Sequence, residues 1–100
     1  MKIDVPDGYE SLGKVLKAAV DQAAHGKGAL RHASGEPFEA QKICRIGRSV
    51  GIGFPIGQAL KKAEESVRLG DDGPAELLGA INYLAAAVIL QIEQQEKGEK

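Results

Sequence analysis

The segment from Pro74 to Glu96 constrains the fold of this chain more than any other. It has no further proline after Pro74 and no charged residue between Glu76 and Glu93. Its apolar residues Leu77, Ile81, Leu84, Val88 and Ile92 recur at steps of 4, 3, 4 and 4, the spacing of one helical face. A second stripe runs through Leu78, Ala85 and Ile89, and the run "LAAAVIL" is apolar all round for nearly two turns. A helix that is apolar all round is normally buried on every side. In a chain of 100 residues three other helices can cover only part of it. The second stripe is therefore expected to meet another copy of the chain, with Asn82 fixing the register at some cost in stability. A bilayer span needs about 20 apolar residues in a row. This stretch is shorter and is broken by Asn82, so no membrane span is expected.

The rest of the chain carries helix signals too, and no run alternates apolar and polar residues as a half-buried strand would. Asp7 and Glu10 have the spacing of a capping box ahead of Leu12, Val15, Leu16, Ala19, Val20 and Ala23, with Gly26 as the stop. Pro37 suits a first helical turn, and Ile43, Ile46 and Val50 follow on one face before Gly51. Pro55 opens a third helix whose residues Ile56, Leu60, Ala63 and Val67 step by 4, 3 and 4 up to Gly70. The expected fold is all-α: helices at about 8–25, 37–50, 54–69 and 74–96 in one domain, a loop over 26–36, and a long C-terminal helical hairpin. With only 4% aromatic residues, the core must come from Leu, Ile, Val and Ala.

Charge is unevenly distributed. Residues 26–62 carry seven bases against two acids, net +5, whereas residues 63–100 are net −5. Lys42, Arg45 and Arg48 are three apart, which stacks like charges along one side of a helix and invites an anion. Just beyond lies "GIGFPIGQALKK", with Gly51, Gly53 and Gly57 and then Lys61 and Lys62. The glycines fit neither the G-x-G-x-x-G dinucleotide fingerprint nor the phosphate loop, because Gly57 is followed by Gln58. More generally, a glycine-rich helix start offers free N–H groups to a phosphate. The long loop over 26–36 adds Lys27, Arg31 and His32. Phe54 and Tyr83 are the candidates for stacking on a base.

Other chemistry has little support. Cys44 is the single cysteine, which fits a reducing cytoplasm. It reads as a small buried hydrophobe. "MKIDVPDGYE" carries acids and does not read as a secretory signal. His25 and His32 do not have metal-ligand spacing. The few aromatics and slightly negative total charge argue against a nucleic-acid partner.

"GQALKKAEESVRL" followed by "AELLGAINYLAAAVI" resembles the helical hairpin of the all-α NTP pyrophosphohydrolases, the MazG-like superfamily, over residues 53–90. The chain is also similar in size and helical layout to short phage-borne helical proteins, among them oligomeric proteins that sequester nucleotide-derived immune signals. The first resemblance implies a magnesium site built from paired acids, of which Glu65 and Glu76 are the positions retained. Arg68 follows Glu65 by three and Gly79 follows Glu76 by three, where the family pattern has a second acid. These residues imply a relative that binds a nucleotide without cleaving it. The reading from sequence is thus a non-catalytic, oligomeric, cytoplasmic protein without a resident cofactor. It would hold a phosphorylated small molecule on Lys27, Arg31, His32, Arg45, Arg48, Gly53, Gly57, Gln58, Lys61 and Lys62, in an anti-defence role of the phage type. The alternatives are a magnesium-dependent pyrophosphohydrolase using Glu65 and Glu76, and a helical protein-interaction module.

Overall fold

The computed structural model describes residues 4–26 and 35–98. Among them the chain is helical throughout: α1 is Glu10–His25, α2 is Lys42–Val50, α3 is Gly53–Ser66 and α4 is Gly73–Glu96, with short 3-10 turns at Phe38–Ala40 and Gly70–Asp72.

Local chemistry sets most of the ends. The Asp7 capping box does not form. Tyr9 takes the N-cap position without a side-chain bond, and Glu10 instead accepts the N–H of Gly8 at 3.1 Å, so α1 starts two residues later than expected. Gly26 closes α1 with its N–H on the Gln22 carbonyl at 2.7 Å. The second helix starts at Lys42 and not Pro37, because Gln41 is extended (ψ 167°) and divides it from the 3-10 turn. Gly51 ends it at φ +108°, a conformation that side-chain-bearing residues avoid. The α3–α4 corner depends on Gly73, since a Cβ there would stand 2.7 Å from the Ser66 carbonyl oxygen.

α4 is the axis of the molecule. α3 runs antiparallel beside it: Ser66 meets Gly73 and Lys62 pairs with Glu76 at 3.4 Å. α2 lies against the far half of α4, where Leu90 fills the space left by the missing side chain of Gly47. α1 also runs antiparallel to α4, tied by Asn82 Nδ2 to the Ala19 carbonyl at 3.0 Å and by Gln22 Nε2 to the Ala75 carbonyl at 3.2 Å. The core is Ile43, Cys44, Ala59, Ala80, Tyr83, Ala86 and Leu90, with Phe38, Phe54 and Ile89 packed on it.

Two sequence expectations are corrected here. The inward side of α4 is Gly79, Ala80, Tyr83, Ala86, Ala87 and Leu90. The seam Leu77, Leu84, Val88 and Ile92 is left exposed, as are Leu60 on α3 and Val67 at its C-cap. Asn82 Nδ2 holds α1 in register within the chain, through the Ala19 carbonyl. An 18-residue window within Gly70–Glu96 has a mean hydropathy of 1.6, long and apolar enough to cross a bilayer by length and composition alone, as the core helix of a soluble protein also is, and a third of that window is buried inside the protein.

Candidate functional site

The principal concavity is a cavity of about 610 Å³ between the end of α1, the turn before α2, and the α3–α4 hairpin. Its polar wall is made of amides. Gln22 comes from α1, Gln41 precedes α2, and Asn82 faces in from α4. Gln22 and Asn82 each donate to a carbonyl across the α1–α4 contact, and Gln41 donates to the Glu36 carbonyl at 2.8 Å. Tyr83 and Phe38 supply the flat apolar surface.

The charged part of the wall is Lys62, Glu76 and Asp72. The Lys62 and Glu76 side chains are 18% and 26% exposed, and they pair at 3.4 Å. The ammonium also stands 6.0 Å from the centre of the Tyr83 ring, within cation–π reach. Gly79 is the device that admits Lys62, since a Cβ there would come within 2.9 Å of the lysine's Cδ.

The residues expected to form one anion site are dispersed. Lys62 lines the cavity. Arg48 lies in a second, smaller cleft of about 200 Å³ with Gly51 and Glu93. There its Nε and Nη2 donate to the two Glu93 oxygens at 2.9 and 2.6 Å, and Nη2 also reaches the Glu39 carbonyl at 2.6 Å. This fork draws the Glu93 carboxyl below its ordinary value and raises the Arg48 guanidinium further. Arg45 is 3.8 Å from Glu36. Two of the three stacked charges on α2 are thus met by carboxylates of this chain, Arg45 by nearby Glu36 and Arg48 by Glu93. Gly53 and Gly57 are exposed, with nothing within 4 Å of where a Cβ would stand. Gln58 is half-buried and Lys61 exposed, and neither lines the cavity. Lys27, Arg31 and His32 lie outside the described residues.

The two aromatics have different roles. Phe54 packs on the core and meets Tyr83 edge to face, centroids 6.0 Å apart at 84°. Tyr83 is 7% exposed, and its ring borders the cavity. Cys44 is wholly buried, and burial pushes its thiol up from the ordinary value, away from the thiolate that nucleophilic chemistry needs.

The donor set does not suit magnesium. Among the described residues no group of three or more His, Cys, Asp or Glu side chains is placed to hold a metal. Glu76 is paired with Lys62, and a hard cation asks for several oxygen ligands. Sequence reasoning missed Gln22, Gln41 and Asn82 as wall residues. Lone amides carry no spacing signature, and only the antiparallel docking of α1 brings them together.

No family model matches this chain, and comparison with curated proteins and with solved structures returns no match.

Proposed function

We propose that this is a non-catalytic, oligomeric protein that holds a nucleotide-like small molecule in the cavity between α1 and the α3–α4 hairpin. The observation that carries the reading is the wall itself. A volume of about 610 Å³ is in the range of small-molecule sites. Three amides, a tyrosine ring and one lysine line it. Amides match the donor and acceptor edges of a base, for which Asn and Gln are good partners. The Tyr83 ring offers a stacking surface, and Lys62 offers an ammonium to a phosphate.

The charges of the wall narrow the ligand. Lys62 stands against Glu76 and Asp72, so a triphosphate would meet more negative than positive charge. A ligand with a single phosphate or phosphodiester near Lys62 is the better fit, and it would compete with Glu76 for the ammonium. A nucleotide-derived signal of that kind would be sequestered without turnover. Hydrolysis would need metal ligands beyond Glu65 and Glu76.

Thermal unfolding against nucleoside monophosphates and triphosphates, cyclic nucleotides and ADP-ribose compounds tests the reading. A ligand at 100 times its dissociation constant stabilises a fold by about 2.7 kcal/mol, which is several degrees in a domain of this size. One phosphate-bearing class should raise Tm, and Lys62→Met should abolish the rise while the protein stays helical. No rise with any member of the panel would overturn it.

A further inference from the structure

The α3–α4 hairpin has two broad sides, and the described residues cover one of them. α1 and α2 both pack on the side that presents Ala75, Asn82, Leu90 and Glu93. With about 3.6 residues per turn and antiparallel axes, Ile56 and Leu60 of α3, Val67 at its C-cap, and Leu77, Leu84 and Val88 of α4 share the opposite side. All six are exposed, Leu60 at 64% and Val67 at 84%. With Ile92, 46% exposed, they form one apolar face, and a standard interface takes about 800 Å² from each partner.

We infer that a second copy of this chain covers this face, hairpin against hairpin, so that two chains close a four-helix bundle. The pattern is self-complementary, as a two-fold interface requires. The seams Ile56, Leu60, Ala63 and Val67, and Leu77, Ile81, Leu84, Val88 and Ile92, step by 4, 3, 4 and by 4, 3, 4, 4, the spacing by which helices interlock in such bundles; all of these residues but the half-buried Ile81 are exposed. The α4 half has no charge between Glu76 and Glu93, so its partner must also be free of charge there, and the same face of another copy is. A bilayer suits the face less well. The adjoining positions include Lys61 and Glu64 of α3 and Arg68 just beyond it, which hydrocarbon would have to desolvate and which the polar rim of a protein interface leaves wet. The inference rests on the apolar face and is independent of what the cavity holds.

The test is the mass of the full chain in solution, by light scattering and sedimentation from micromolar to near-millimolar concentration. The expected mass is twice that of the chain. Val67→Glu touches no part of the chain's own core and should reduce the mass to one chain with helicity unchanged. Leu84→Glu should do the same, whereas Leu12→Glu, on the exposed stripe of α1, should leave the mass doubled. A monomer at every concentration would overturn the inference. So would a dimer that survives both glutamates, or one that Leu12→Glu dissociates. Co-sedimentation of a monomeric chain with phosphatidylglycerol vesicles, lost in Val67→Glu, would assign the face to a membrane instead.

Discussion

The two sides of α4 differ in an unexpected direction. Its inner side buries Gly79, Ala80, Ala86 and Ala87, with Tyr83 and Leu90 as the large members. Its outer side exposes Leu77, Leu84, Val88 and Ile92, each at about half of its surface. Hydrophobicity alone would bury the second set. The inner side is selected for closeness. Missing side chains let α2 and α3 approach until Leu90 occupies the space at Gly47 and the Lys62 stem the space at Gly79. Close packing in an interior depends on such fit, and a row of large residues would hold the helices apart. The large residues are left on the exposed side.

The contrast is broken most directly by cutting one large residue on each side. Leu90→Ala should cost about 2–5 kcal/mol in urea unfolding. Val88→Ala, at a site 54% exposed, should cost no more than about 0.5 kcal/mol in dilute protein. Equal losses would mean that α4 has no inner side.

Glycines provide a second, smaller contrast, and here the sign differs. A Cβ on Gly73 would meet a backbone carbonyl at 2.7 Å, and backbone does not yield as a side-chain end does. Gly73→Ala should destabilise by about 1–3 kcal/mol. Gly57 faces open space within a helix, so Gly57→Ala should stabilise dilute protein by up to about 1 kcal/mol. Denaturation midpoints of the two variants check both signs.

Thiol chemistry sharpens the comparison without a change in stability. Cys44 is buried with its thiol titration raised, so iodoacetamide should modify it only as the fold opens. A cysteine placed at Val88 in a Cys44→Ala background should react at nearly the rate of a free thiol in dilute protein. Alkylation followed by mass spectrometry separates the two.

The smallest effect is electrostatic. The Arg48 guanidinium holds Glu93 below its ordinary value of 4.5. A carboxyl depressed in the folded state contributes stability that is present above 4.5 and is lost as pH falls through the lower folded value. Tm should therefore be level near neutrality and decline in acid. Glu93→Gln should flatten part of that decline, and an unchanged acid slope would show the pair to be without consequence. Both side chains are about a third exposed, so added salt should weaken the effect.

Much of the fold was legible because its signals are local. Gly26, Gly51 and Gly70 were read as stops, and α-helices end at or close to each. The errors at helix starts have equally local causes: Glu10 turned to Gly8 in place of a capping box, and Gln41 adopted an extended backbone. The candidate site was less legible. Lys62, Tyr83 and Glu76 were singled out and do line the cavity. Arg48, read as a free cation awaiting an anion, has its carboxylate in Glu93, 45 positions away.

The sequence by itself determined that the chain is helical, where α1 and α2 stop, and that α4 carries more apolar surface than its described neighbours cover. These follow from φ preferences, missing donors and periodicity, which act within a turn or two of chain. Only the tertiary structure decided which stripe of α4 turns inward, that Asn82 binds Ala19, and that three amides share one wall. Burial and pairing are properties of two surfaces at once. The second surface comes from residues far along the chain, whose approach no local spacing records.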